Sequence, residues 1–134
     1  TVKQMVRDAG KEIETLPVLK AMELMDSDEH VFVDLRDVRE LDKEGMIPDA
    51  FHAPRGMIEF WIDPESEYHK EIFSSGKSFV FYCRSGWRSA LAAKTVQDMG
   101  LEKVCHIHGG FTAWKEAECP VVDRPPSSKK KQKT

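Results

Sequence analysis

Short apolar runs alternate with amphipathic stretches along the chain, and that alternation predicts its elements. Val31-Phe32-Val33-Asp34-Leu35 is a compact, β-branched run that predicts a buried strand. Ser78-Phe79-Val80-Phe81-Tyr82 is apolar on both alternating faces, as a strand covered on two sides must be. Val104 to Ile107 predicts a last strand and Ala50 to Ala53 a short one. Helical spacing fills the intervals. Met5, Val6, Ala9 and Ile13 share one face, and a second helix starts at Pro17 with Val18, Leu19, Met22 and Met25 on its apolar side. Met57 to Trp61 predicts another, with a turn or two near Tyr68 to Phe73. Ser89 to Met99 is the clearest helix: Leu91, Ala92, Thr95, Val96 and Met99 make its stripe and Gly100 stops it. Phe111 to Ala117 follows Gly109-Gly110. Strands alternating with helices predict an α/β domain of parallel strands with helices on both faces.

With 134 residues, this divides into an N-terminal helical extension over 1–15, one domain over 16–122 and a disordered basic tail over 123–134. The chain begins at Thr1, so an upstream segment, an initiator Met at the least, is expected. The net charge of −3 hides an asymmetry: Asp123 to Thr134 carries +4, which leaves about −7 on the body. An acidic body predicts no nucleic-acid partner. No apolar run reaches the ~20 residues of a membrane span. Three cysteines without a CxxC pair argue against a disulfide framework and for a reducing, cytoplasmic location.

The chemistry concentrates in Tyr82-Cys83-Arg84-Ser85-Gly86-Trp87-Arg88-Ser89, between the clearest strand and the clearest helix. Open α/β sheets put their sites at such carboxyl ends of strands. Cys83 would face the amino end of a helix, whose N–H groups and dipole favour an anion at sulfur. Arg84 and Arg88 add positive charge, and both effects favour the nucleophilic thiolate. Gly86 permits the backbone turn that a loop around an anion requires. A small buried cysteine ending a strand is the plainer reading of Cys83, and the two arginines, the glycine and the following helix weigh against it.

At these residues the chain resembles the rhodanese family, over roughly Leu16 to Val122. Asp34-Leu35-Arg36 with Glu40 resembles the family's Asp-x-Arg motif, and Gly45-Met46-Ile47-Pro48-Asp49-Ala50 its Gly-His-Ile-Pro-Gly-Ala segment. Cys83 to Arg88 is similar to its active-site loop, and Gly109-Gly110-Phe111 with Trp114 to its closing Gly-Gly-x-x-x-Trp pattern. Met46 and Asp49 depart from the usual His and Gly, and the turn at Asp49 is expected to differ.

The resemblance implies a rhodanese-like sheet of about five parallel strands and a thiosulfate sulfurtransferase working through a Cys83 persulfide, without cofactor or metal. A small anionic sulfur donor would be bound by Arg84, Ser85, Gly86, Trp87 and Arg88. Cyanide, a cellular thiol or a protein would accept the sulfur. Arg55 is a candidate pocket residue from a neighbouring loop, with a surface position equally open. Asp34 and Arg36 are better read as an ion pair supporting the loop than as acid and base, with Glu40 joining that pair. Two rivals come from the same fold. Phosphatases or arsenate reductases carry five residues between Cys and Arg where this chain has four, and non-catalytic docking modules usually lose the cysteine.

Cys105 is expected to be inert core and Cys119 exposed. His106 and His108 alternate on a strand. A structural zinc site would need four ligands at finger-like spacing, so a satisfied or exposed histidine pair is the expectation.

Overall fold

The computed structural model describes residues 1–125. Five strands form one sheet: β1 (Glu14–Leu16), β2 (His30–Asp34), β3 (Phe51–His52), β4 (Ser78–Tyr82) and β5 (Val104–Ile107). Their order is β1-β5-β4-β2-β3, and every neighbouring pair is parallel. Parallel neighbours need crossover connections, which here carry short helices. The helices are α1 (Val2–Gly10), α2 (Val18–Met22), α3 (Val38–Glu44), α4 (Ile58–Ile62), α5 (Trp87–Asp98) and α6 (Gly110–Glu116).

The double-sided pattern of β4 explains the layers. Phe79 and Phe81 pack into one apolar cluster with Ala90, Ala93 and Val96 of α5 and Ile58 of α4. Val80 and Tyr82 pack into a second with Ala21 of α2 and Phe111 and Trp114 of α6. Helices therefore cover both faces, as the alternation of elements predicts. The register of β2 with β4 runs from His30↔Ser78 to Asp34↔Tyr82. Asp34 and Tyr82 thus end level, and Cys83 leaves the sheet beside them.

Several elements differ from the sequence expectation. β1 lacks an apolar run, because an edge strand with two exposed residues is held by backbone pairing with β5 and not by its side chains. It begins inside the segment read as a helical extension, so residues 1–15 supply part of the sheet. α1 ends at Gly10, which leaves Ile13 buried beyond the helix, and Met5 points outward. α2 spans only five residues and turns Ala21 inward, so Leu19 and Met22 stay exposed. α3 was not expected. Its start is fixed by a capping box in which Asp37 accepts from Arg39 N and Glu40 accepts from Asp37 N. Asp49 adopts a left-handed φ of 63°, so its turn keeps the conformation a glycine would give.

The chain end is tied to the domain as far as it is described. Val122 bridges Met46, and Arg124 pairs with Asp42 at 2.6 Å. Residues 126–134 of the basic tail lie outside the described residues. Among the described residues no helix is long and apolar enough to cross a membrane.

Candidate active site

Cys83 follows the last residue of β4, and Trp87 opens α5 four residues later. The intervening turn closes because Gly86 takes a φ of 106°, a left-handed conformation that strains any side-chain-bearing residue. That turn aims backbone N–H groups at the sulfur. Gly86 N donates to Cys83 Sγ at 3.2 Å and Ser89 N at 3.3 Å, and Ser89 Oγ lies 3.6 Å away. The sulfur is buried, and its surroundings are donors set at a helix amino end, where negative charge is favoured.

The loop is braced from α6. Phe111 N donates to the Cys83 carbonyl at 2.8 Å and Thr112 N to that of Arg84 at 3.0 Å. A Cβ at Gly110 would sit 2.6 Å from the Cys83 carbonyl oxygen, so only glycine allows this approach. The Gly109-Gly110 pair of the sequence is therefore part of the site's support.

A second brace rises from β2. Arg36 reaches Asp34 through Nε at 3.0 Å and Nη2 at 2.8 Å, and Nη2 also donates to the Gly45 carbonyl at 2.7 Å. Both side chains are fully buried. The guanidinium lies 4.1 Å from the Phe111 ring centre, with Tyr82 on the same side. Burial opposes the Arg36 charge, but the hydrogen bonds and charge of Asp34 raise its pKa above the ordinary value. Burial chiefly, aided by the Asp34 charge, pushes the Tyr82 phenol far up, and its oxygen accepts from Ile47 N at 3.2 Å.

Glu40 does not join that pair. Its carboxylate clasps Arg88 instead, with Nη1 to Oε2 at 2.8 Å and Nη2 to Oε1 at 3.0 Å. The cause is α3, which begins just after Arg36 and carries Glu40 on its first turn toward α5. The Arg88 guanidinium holds the Glu40 carboxyl below its usual range, and Glu40 in turn raises Arg88. Arg84 is exposed and reaches Glu44 only at 4.0 Å. Ser85 and Trp87 are also exposed on the rim, whereas Gly86 is buried. Arg55 Nη1 pairs with Glu59 at 3.0 Å, so its side chain is engaged within its own segment.

The remaining candidates separate. Cys105 is buried in β5, and burial with a contribution from Glu14 pushes its thiol up to about 12. Cys119, expected to be exposed, is buried. The chain turns back at Glu118, with a φ of 60°, and Cys119 N donates to the Trp114 carbonyl while Trp114 Nε1 donates to that of Pro120. Those bonds tuck Cys119 into the core. The histidines divide as well: His106 is buried and hydrogen-bonded, and His108 is exposed. The sequence reading left the Ser89 hydroxyl and His106 out of the site. Ser89 was visible at the end of the loop motif, whereas no sequence signal joins it to a residue 17 positions on.

Comparison with known proteins bears on the family and the fold. Residues 18–117 match the rhodanese-like domain family. A sulfurtransferase from Allochromatium vinosum is 34% identical over 99 residues, covering 74% of this chain and 84% of its own. A thiosulfate sulfurtransferase from Pseudoalteromonas translucida is 28% identical over 109 residues, covering 81% and 95%. A solved structure from Rhodopseudomonas palustris, a protein of unknown function described as a possible tyrosine phosphatase, is 52% identical with a TM-score of 0.89, covering 91% and 94%. With its parallel five-stranded sheet and a family match over 18–117, this chain belongs to the rhodanese-like domain family.

Proposed function

We propose that the protein is a thiosulfate sulfurtransferase that carries sulfane sulfur on Cys83. The observation that carries the reading is the pair of N–H groups, from Gly86 and Ser89, pointed at one sulfur at a helix amino end. In the first half-reaction the Cys83 thiolate attacks the outer sulfur of thiosulfate. A Cys83 S–S bond forms, the bond between the two donor sulfurs breaks, and sulfite leaves with the electron pair. The persulfide's terminal negative charge sits where preorganised donors act on it. In the second, cyanide carbon or a thiolate attacks that outer sulfur, and the Cys83 thiolate is regenerated. Two half-reactions through a covalent form give ping-pong kinetics. Arg88 orients the donor's sulfonate and Arg84 attracts it at the rim. The acceptor in the cell is a thiol, free or on a protein, and the cytoplasm supplies the reducing conditions that keep Cys83 unpaired.

A phosphatase is the competing reading, because the Rhodopseudomonas palustris relative bears that description. Four residues, Arg84 to Trp87, separate Cys83 from Arg88, a short span that suits one sulfur better than a tetrahedral phosphate. Mass spectrometry after thiosulfate treatment should find one added sulfur on the Cys83 peptide, and aryl phosphate hydrolysis should stay at background. No added sulfur together with rapid phosphate release would reverse the assignment.

A further inference from the structure

β5 turns toward Cys83 a histidine that the proposed chemistry leaves unused. His106 is 6% exposed, and both ring nitrogens are engaged. Nδ1 pairs with Ser89 Oγ at 2.9 Å and Nε2 with Thr15 Oγ1 at 3.1 Å. Ser89 Oγ lies 3.6 Å from Cys83 Sγ. Four side chains, from the loop after β4, from α5, from β5 and from β1, thus form one file from the buried sulfur to the edge of the sheet. Thr15 is exposed there. With Ser85, Gly86, Trp87, His106 and His108 it lines a cleft of about 380 Å3.

We propose that His106 is a positioning residue for Cys83, aiming the Ser89 hydroxyl at the sulfur and passing the thiol proton outward by a change of ring tautomer. In the thiol form Cys83 S–H donates to Ser89 Oγ, Ser89 O–H donates to Nδ1, and Nε2–H donates to Thr15 Oγ1. Ionisation moves one proton along each link. The S–H bond breaks and the sulfur keeps the electron pair. Ser89 takes that proton and gives its own to Nδ1, Nε2 gives its proton to Thr15, and the Thr15 hydroxyl proton goes to water in the cleft. Every link then runs the other way, with Ser89 O–H donating to the thiolate. Serine, threonine and histidine all end neutral.

The ring is suited to this because it does not become imidazolium at neutral pH. Burial chiefly, and His108 less so, push His106 down to about 4. Its direct partners, Ser89 from α5 and Thr15 from β1, are neutral. The titratable or charged groups that act on the file are His108, beyond the end of β5, on the ring, and Arg88 on the sulfur, whereas Glu14 of β1 acts on Cys105 across the sheet.

The inference rests on Cys83 being the working nucleophile and not on which donor it uses. Ring 15N NMR tests it in the intact protein. As pH rises through the range where the Cys83 peptide becomes alkylated by iodoacetamide, protonation should pass from Nε2 to Nδ1. In Cys83→Ala the ring should keep one tautomer over the same range. An unchanged tautomer in the wild type, or an imidazolium in that range, would overturn the proposal. A second measurement reads the rate. His106→Phe fills the space without a polar atom and should slow Cys83 alkylation at pH 7 by roughly tenfold, the weight of one hydrogen bond to a charged group. His106→Asn, whose amide can donate to Ser89, should recover most of that rate. A Phe variant as fast as wild type, or faster than Asn, would reduce His106 to a space-filling role. Neither measurement needs a sulfur donor, so a protein that switches tautomer but transfers no sulfur would count against the proposed function alone.

Discussion

Two cysteines of this protein are buried almost equally, Cys83 at 1% and Cys105 at 7% exposure, yet their sulfurs meet opposite surroundings. Cys105 lies within β5 among apolar neighbours, and its thiol can only donate, at 3.8 Å, to the Phe79 carbonyl. Burial with no donor aimed at the sulfur keeps it protonated, and its pKa rises to about 12. Cys83 lies one step beyond the end of β4, where the chain leaves the sheet and turns into α5. Two backbone N–H groups donate to it there. Depth alone therefore does not separate a sulfur that only donates from one to which backbone N–H groups donate. The direction of the hydrogen bonds does, and the left-handed turn at Gly86 sets that direction.

The largest effect expected from this contrast is on transfer itself. Cys83→Ala should lower thiocyanate formation from thiosulfate and cyanide by at least about three powers of ten, since the covalent intermediate cannot form. Cys105→Ala should keep the rate within about twofold while lowering stability through the small cavity it leaves. Steady-state rates and urea unfolding of the two variants check this. A Cys105 variant that loses transfer while Cys83→Ala keeps it would invert the comparison.

The two regions also differ in how far the sequence discloses them. β4 and β5 are legible because a short, mostly apolar run bounded by turn residues suits a strand covered on both faces, and both lie where the pattern puts them. The Cys83 loop is legible because its turn depends on local residues: a strand end, a glycine and a helix start. What the sequence hides is produced by packing between distant elements. Glu40 faces Arg88 only because α3, which the sequence reading did not expect, and α5 come together. β1 is invisible because backbone pairing holds it, and Thr15 meets His106 only through that pairing. Cys119 reads as exposed because nothing local announces that the chain folds back under Trp114.

His106 extends the comparison, since it sits next to Cys105 on β5 and faces the other side of the sheet. Burial favours the neutral form of both, but for a histidine the consequence falls at acid pH. Its pKa drops from 6.5 to about 4 on folding. Between those values the unfolded chain binds a proton that the folded one refuses. The stabilisation is therefore complete above about 6.5 and is lost as pH falls toward 4, by about 3 kcal/mol in all. Urea unfolding between pH 7 and 4 should show that part of the slope in the wild type and not in His106→Asn. Equal slopes would mean that the ring takes up its proton in the folded state.

The smallest expected effect concerns the charge around Cys83. Arg88 is not a free cation awaiting an anionic donor, because Glu40 holds it through two hydrogen bonds at 2.8 and 3.0 Å. The pair's charges largely cancel at a distance, so under the proposed function attraction over longer range would fall to the exposed Arg84, while Arg88 would act by contact. Arg88→Ala removes that contact and leaves the Glu40 carboxylate unpaired near the incoming anion. A charge-assisted hydrogen bond is worth about 1.5–3 kcal/mol, so kcat/KM for thiosulfate should fall by roughly one to two powers of ten. Arg88→Lys should restore only part, because a point charge lacks the forked geometry. Glu40→Gln separates the two contributions. Glutamine still serves the capping box, so α3 should stay in place while the competing negative charge is gone. Donor use should then hold or improve, and Glu40→Gln combined with Arg88→Ala should lose less than Arg88→Ala alone. Unchanged kinetics in Arg88→Ala would remove that residue from donor binding. A loss in Glu40→Gln as large as in Arg88→Ala would mean that the carboxylate's grip on the guanidinium, and not the guanidinium's contact with the donor, sets the rate.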